Sequence, residues 1–146
     1  MINHIWTVLC TRSSTDRETN NISLFDVIEQ LNVLGPMPEV TANVALPIPY
    51  EVVTLWARAQ PTEAEESAAR LILIAPNNAE IHTQPFSVNL TQKSRMRTQL
   101  RSVGFPLRGP GRYIFKLEIQ RANGNWEPVA HIPVEVASIA QANAPA

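Results

Sequence analysis

Apolar and polar residues alternate between residues 112 and 136 in the pattern of a β-hairpin. Apolar side chains share one parity in each arm: Tyr113, Phe115, Leu117 and Ile119, then Trp126, Ala130, Ile132, Val134 and Val136. Between the arms, residues 122–125 (Ala-Asn-Gly-Asn) supply the positive φ angles of a tight turn. Period-two alternation indicates strands with one buried and one wet face. Such strands are typical of an antiparallel sheet packed on a second layer.

Shorter apolar segments predict strands along the rest of the chain. These segments cover residues 5–11, 50–59, 70–75, 80–90 and 94–103. Residues 12–21 are polar and rich in turn formers, so they predict a loop. Residues 22–34 fit helical spacing as well as alternation, and we favour a strand because strands flank them on both sides. Pro85 predicts a bulge or a change of sheet within its strand.

About eight strands joined by short turns predict an all-β fold, an antiparallel two-sheet sandwich of immunoglobulin-like or related topology. The 146 residues are enough for one domain with its own core. We expect that domain to cover residues 1–138. Residues 139–146 are small, polar and without pattern, and they predict a disordered tail.

The cysteine content and the lengths of the apolar runs bear on location. The single cysteine, Cys10, excludes an internal disulfide. No segment reaches the roughly 18 apolar residues of a membrane helix. The apolar run that ends at Cys10 is too short for a secretion signal and has no basic residue before it. These features predict a cytoplasmic protein that does not bind a membrane.

Charge is distributed unevenly along the chain. Residues 1–92 carry 4 basic and 10 acidic side chains, and residues 93–146 carry 8 basic and 3 acidic ones, for a total charge of −1. Alternation on the strand at 94–103 puts Arg95, Arg97 and Arg101 on one face, where residues two apart lie roughly 6.6–6.8 Å from each other. Such a row of guanidinium groups can bind phosphates or an acidic partner. Arg108 and Arg112 extend this candidate patch.

The alternative is that the arginines form a solvated face and pair with glutamates nearby. The candidate partners are Glu118 on a neighbouring strand, and Glu63, Glu65 and Glu66. Exposed ion pairs of this kind contribute about 0–1 kcal/mol each. Nucleic acid is disfavoured as a ligand, because the chain is not basic overall and the arginine row has no interleaved aromatic residues.

The sequence contains no pattern for catalysis or for a cofactor. His4, His82 and His131 do not have the spacing of zinc ligands. No serine lies in a G-x-S-x-G elbow, and apolar neighbours are expected to raise the pKa of Cys10 and leave its thiol inert. We therefore expect no metal, no cofactor and no enzymatic activity.

Trp126 is the tryptophan that the sequence favours as an exposed contact, because it directly follows the predicted turn. Pro128 and Pro133 lie on the same strand and remove donors from its hydrogen-bond ladder. The strand is therefore predicted to be an edge strand or a bulged one. Self-association, if it occurs, is expected to use another edge or a sheet face.

Three segments together resemble a bacterial family of small uncharacterised β-sandwich proteins. They are the strand-like opening with Cys10, the segment at 23–28 (Ser-Leu-Phe-Asp-Val-Ile) and the closing segment at 109–119 (Gly-Pro-Gly-Arg-Tyr-Ile-Phe-Lys-Leu-Glu-Ile). The resemblance covers most of the chain and implies the β-sandwich fold. It implies no catalytic residue.

The combined prediction is a non-catalytic interaction or assembly module whose partner is another protein or a second copy of the chain. The first alternative is an anion or nucleic-acid binder that uses Arg95, Arg97 and Arg101. The second is an enzyme or small-ligand carrier with a pocket built from loops.

Overall fold

The computed structural model describes residues 1–37 and 44–139, and within these ranges the chain forms strands and no helix. The eleven strands are β1 (Ile2–Thr15), β2 (Ile22–Val27), β3 (Gln30–Leu34), β4 (Val44–Leu46), β5 (Tyr50–Arg58), β6 (Glu66–Ile74), β7 (Glu80–Asn89), β8 (Arg95–Ser102), β9 (Phe105–Leu107), β10 (Gly111–Gln120) and β11 (Trp126–Ile139). The predicted all-β class is confirmed. No helix that could cross a membrane occurs in the described ranges. The predicted tail beyond residue 139 lies outside them.

The strands form two larger sheets and one small one. The four-stranded sheet has the order β2-β1-β5-β8, and the five-stranded sheet has the order β3-β11-β10-β6-β7. Among the described strands, β4 and β9 pair only with each other. Within the described ranges, every pairing is antiparallel except that of β3 with β11, which is parallel.

The core contains residues from both larger sheets, and aromatic rings fill its centre. Phe105 contacts Tyr113 edge-to-face with ring centroids 5.2 Å apart, and Tyr50 contacts Phe115 in the same way at 5.3 Å. Such pairs contribute about 0.5–1.5 kcal/mol beyond the burial of their area. Trp56 is fully buried in the same cluster. Side chains that point away from this core form what we call the outer face of each sheet.

The chain between Cys10 and Val27 forms a long hairpin where the sequence predicted a loop at 12–21. Strand β1 continues to Thr15 and pairs with β2, so the loop prediction was wrong for the first residues of that range. The remaining turn is closed by Asp16, whose carboxylate accepts from the backbone N–H groups of Glu18 and Thr19 at 2.9 Å. The polar residues adopt a strand because β2 satisfies their backbone groups.

Residues 22–34 are strands, as favoured from the sequence, but they form two rather than one. Strand β2 belongs to the four-stranded sheet and β3 to the five-stranded sheet. The chain changes sheet at residues 28–29. The short strands β4 and β9 were not predicted, since they lie in segments that Pro47 and Pro106 punctuate.

Two predictions about individual strand residues were wrong. Pro85 lies opposite Arg70 in regular register, and the irregularity between β6 and β7 falls between Leu73 and Ile74 instead. A regular register is tolerated because β7 is an edge strand, where a missing N–H can face solvent. Trp126 was predicted on the same face as Ala130, whereas a bulge in the β10–β11 pairing puts the two on opposite faces.

Candidate functional site

The three arginines singled out in the sequence lie on β8, an edge strand of the four-stranded sheet. Arg97 is paired in register with Leu55 of β5, and Arg101 with Glu51. Their side chains point to the outer face, since the opposite parity of β8 carries the core residue Leu100. The structure gives the three guanidinium groups different surroundings.

Arg101 is neutralised by a carboxylate. Its Nε donates to Glu51 Oε1 at 2.5 Å, and Glu51 is buried. The predicted glutamate partners are engaged elsewhere. Glu118 pairs with Arg70 at 2.7 Å, Glu63 and Glu65 contact the amino group of Met1, and Glu66 accepts from Ser87 Oγ at 2.9 Å. The charge of Arg101 is therefore matched within the fold by a glutamate that the sequence did not indicate.

Arg97 anchors the β1–β2 hairpin to the outer face of the sheet. Both of its terminal nitrogens donate to the backbone carbonyl of Asn20 at 3.2 Å. Two residues along β8, the Gln99 amide donates to Ser13 Oγ at 2.8 Å. These bonds join segments about 80 residues apart in sequence, with a separation of 77 for Arg97 and Asn20. They hold the hairpin tip above β8.

A concave space of about 640 Å³ separates the hairpin tip from β8, and we call it the hairpin cleft. The hairpin lines it with four polar side chains, those of Thr15, Thr19, Asn20 and Asn21. From the sheet side, three cations line it, Lys93, Arg95 and Arg97, and none of the described residues that line it is Asp or Glu. Lys93 and Arg95 form no ion pair with any described residue.

Arg108 and Arg112 do not extend this site. Arg112 lies on the outer face of the five-stranded sheet, where its Nε donates to Glu135 Oε1 at 2.6 Å. Arg108 follows β9, and its guanidinium donates to the carbonyl of Leu107 at 3.0 Å. Neither side chain lines the hairpin cleft.

Trp126 belongs to a charge network on the outer face of the five-stranded sheet. Its ring lies under the Arg70 guanidinium, with Cζ 4.0 Å from the ring centroid. Arg70 also binds Glu118, which Lys116 approaches at 3.3 Å. Burial acts to raise the pKa of Glu118, but the hydrogen bonds from Arg70 and Lys116 outweigh it and leave the pKa below its usual value. The network is internally paired and buries Glu118, which alternation had placed on the wet face.

Other candidate chemistry is dispersed. Within residues 1–37 and 44–139, no group of three or more His, Cys, Asp or Glu side chains could hold a metal ion. His82 and His131 are exposed, and His4 packs edge-on against Trp56 with ring centroids 5.4 Å apart. Burial raises the pKa of the Cys10 thiol, with a further contribution from the Glu51 charge.

Sequence reasoning missed Lys93 and the hairpin side of the cleft. Lys93 directly precedes the arginine strand and could have been included as the first cation of the same basic segment. The residues from Thr15 to Ile22 could not have been found, because no local pattern indicates that the hairpin folds over the sheet. That contact depends on partners distant in sequence, such as Gln99 with Ser13.

The fold and the site together define an all-β protein with a basic cleft on the outer face of one sheet. No family model matches the chain, and neither does any curated protein. Among solved structures, the chain is similar to the crystal structure of the PmoD soluble domain from Methylocystis sp. ATCC 49242 (Rockwell). The identity is 9%, the TM-score is 0.38, and the match covers 92% of this chain and 96% of that one. A likeness at this level carries no information about ligand or partner.

Proposed function

We propose that the protein is a non-catalytic interaction module that binds an anionic group in the hairpin cleft. One observation carries the proposal: Lys93, Arg95 and Arg97 converge on a concave, polar space, and the described residues that line it include no carboxylate. Two of these cations have no ion-pair partner among the described residues, and like charges held close together repel unless an anion joins them.

The framework for this module is an immunoglobulin-like sandwich. The neighbouring strands β1-β5-β8 and β11-β10-β6 correspond to the A-B-E and G-F-C strands of that topology. A second support is Tyr113, near the start of β10. Its hydroxyl accepts from the Arg108 backbone N–H and donates to the carbonyl of Gly109, both at 2.6 Å. Such a tyrosine corner is a hallmark of immunoglobulin-like sandwiches.

The cleft favours a small group with several oxygen acceptors, such as a phosphate or a carboxylate. Arg95 can offer two parallel N–H donors and Lys93 a compact ammonium. The side-chain amides of Asn20 and Asn21 can add neutral hydrogen bonds from the hairpin side. Hydrogen bonds to charged groups contribute about 1.5–3 kcal/mol each. Because the cleft opens to solvent, we expect binding to weaken as salt is added.

The partner that carries this group is proposed to be a protein with an acidic segment or a small anion. Nucleic acid is disfavoured, since none of the described residues that line the cleft is an aromatic residue on which a base could stack. The cytoplasmic location and the membership of a bacterial family of small β-sandwich proteins stay predictions from the sequence.

The test is calorimetric titration of the wild-type protein with pyrophosphate and with citrate at low and high NaCl. We expect binding that salt weakens, and a loss of about tenfold or more in affinity for Arg95→Glu, which corresponds to about 1.4 kcal/mol. Arg112→Glu is the matched control, because it makes the same charge change on the opposite sheet. If the wild type binds neither probe, or if both variants lose affinity equally, the cleft is not an anion site.

A further inference from the structure

Strand β1 has an open edge over the first half of its length. Residues from Ile2 to Cys10 pair with β5, whereas β2 pairs with β1 only from Cys10 onward. On the free side, the last backbone bond before the hairpin is that from Ile28 N–H to the carbonyl of Leu9 at 2.9 Å. Below it, no described strand is hydrogen-bonded to the edge of β1, although β11 lies beside it across a groove that Leu9 and Ile132 line. An open edge presents unpaired N–H and C=O groups to any chain that can align with them.

The other long edges of the two sheets carry protection that β1 lacks. The open half of β11 contains Pro128 and Pro133, and β7 contains Pro85. Strand β8 carries the arginine row, whose like charges would repel a second copy. By contrast, residues 2–9 contain no proline, lysine, arginine or acidic residue, and Ile5 at their centre is 50% exposed. Proline and charge are the usual protections of an edge strand.

The direction of each backbone group on the open edge follows from the bonds already made. The backbone groups of Ile2 and Leu9 face the open edge, since their carbonyls accept from Arg121 Nη1 at 2.8 Å and from Ile28. The backbone groups of Trp6 face β5, because the Trp6 carbonyl accepts from Thr54 Oγ1. Because strand alternation applies on either side of the bulge between His4 and Trp6, the backbone groups of His4 and Thr7 also face the open edge.

Four residues have backbone groups that face the open edge, and their positions are symmetric about the point between Ile5 and Trp6. They are Ile2, His4, Thr7 and Leu9. Reversing the strand about that point exchanges His4 with Thr7 and Ile2 with Leu9. In an antiparallel ladder, two opposed residues that face each other exchange both of their N–H to C=O bonds. Two copies of β1 can thus form four such bonds, between His4 of each copy and Thr7 of the other. The bulge, which would spoil pairing with a regular strand, is matched by the same bulge in the second copy.

We propose that the protein self-associates through antiparallel pairing of β1 with β1 of a second copy. The two four-stranded sheets then join into one sheet of eight strands across a two-fold axis, the commonest symmetry of homo-oligomers. The pairing ends at Ile2 and at Leu9, because the carbonyls of these two residues already accept hydrogen bonds from Arg121 and from Ile28.

Charge complementarity at the ends of the pairing supports a second copy as the occupant. Opposing Ile2 to Leu9 of the other copy brings Arg121, which pairs with Glu127 within its own chain, toward the other copy's Glu29, which follows Ile28. Glu29 is exposed and has no ion pair with any described residue. Apolar contact accompanies the pairing, because Val8, Leu9, Val27 and Ile132 line a groove of about 440 Å³ beside the edge.

Sedimentation velocity over a range of concentrations tests this proposal. We expect the wild-type chain to form a dimer and Ile5→Lys to weaken its dissociation constant by about tenfold or more. The matched control is Val103→Lys, because Val103 is 88% exposed and lies beyond β8, away from the β1 edge. Arg95→Glu should leave the dimer intact, so failure of the anion proposal and failure of this one are distinguishable.

Cysteine cross-linking provides a second readout if Ile5→Lys does not fold. Ile5→Cys should form a disulfide-linked dimer under mild oxidation, since the two Ile5 positions flank the two-fold axis, and Val103→Cys should not. The native Cys10 is buried and stays unreactive in both variants. A wild-type chain that remains monomeric at the highest attainable concentration would overturn the proposal. Equal cross-linking of the two cysteine variants would also overturn it.

Discussion

The Tyr113 hydroxyl joins the start of β10 to the turn that precedes it. The side chain is fully buried, and its hydroxyl bonds both the Arg108 N–H and the Gly109 carbonyl. We predict that Tyr113→Phe lowers the free energy of unfolding by about 1–3 kcal/mol, the cost of leaving buried polar groups without these partners. Urea denaturation measures the change. The matched control is Tyr50→Phe, which removes a hydroxyl from another buried tyrosine and should lower the free energy of unfolding by less.

Glu118 makes stability depend on pH on the acid side. Its pKa in the folded protein lies below the usual value, because the hydrogen bonds from Arg70 and Lys116 outweigh desolvation. A lowered folded pKa contributes stability that is present above the unfolded pKa of about 4.3 and is lost as pH falls through the folded pKa. We predict that Glu118→Gln flattens the fall of the unfolding free energy below about pH 4.3. Chemical denaturation across that range measures it, and Glu80→Gln, an exposed glutamate on β7, should leave the slope as in the wild type.

At the level of elements, alternation predicted strands wherever one face of a strand is buried. Strands β5, β8 and β10 follow the predicted segments closely, because their apolar parity faces the core, whereas β6 begins at residue 66 and not at residue 70 as predicted. The hairpin was missed because its polar strands are stabilised by long-range partners. Trp126 was predicted on the wrong face of β11. Pro128 indicates an irregular strand, but it does not show which neighbouring side chains a bulge moves to the other face.

The β1–β2 hairpin depends on Arg97 for its position over β8. We predict that Arg97→Ala speeds amide hydrogen exchange at the tip, residues 15–22, while the core strand β10 keeps the protection of the wild type. The physical reason is the loss of both guanidinium bonds to the Asn20 carbonyl, which lowers the free energy of local opening without removing core contacts. The comparison variant is Arg12→Ala, which removes an arginine stacked on Phe25 in the same hairpin and should leave amide exchange at the tip as in the wild type. Equal exchange at the tip in Arg97→Ala and the wild type would show that other contacts hold it.

For the whole molecule, the uneven charge of the sequence becomes a local excess of positive charge. Within residues 1–37 and 44–139, four ion pairs join basic residues of the second half to glutamates: Arg101 with Glu51, Arg112 with Glu135, Lys116 with Glu118 and Arg121 with Glu127. Three others line the cleft. The sequence could predict that a basic segment exists and that Arg95 and Arg97 share a face. It could not predict which arginines are neutralised, because that depends on the cross-strand neighbour each one receives.

The two proposed surfaces lie on opposite edges of the four-stranded sheet, with β5 between them. The cleft is on the β8 side, and the open edge is on the β1 side. A dimer through β1 would therefore keep both clefts accessible and present two anion sites. Two linked sites on one particle bind a partner with two acidic segments more tightly than either site alone.

The most direct test of the central claim is a two-dimensional NMR titration of the 15N-labelled wild-type protein with pyrophosphate. If the hairpin cleft binds the anion, the amide signals that shift belong to residues 15–22 and 93–99, and the shifts saturate. Signals of β11 and of the five-stranded sheet stay in place. Saturating shifts centred on Arg112 or on the Trp126 network, or no saturating shift anywhere, would contradict the assignment of the cleft as the binding site.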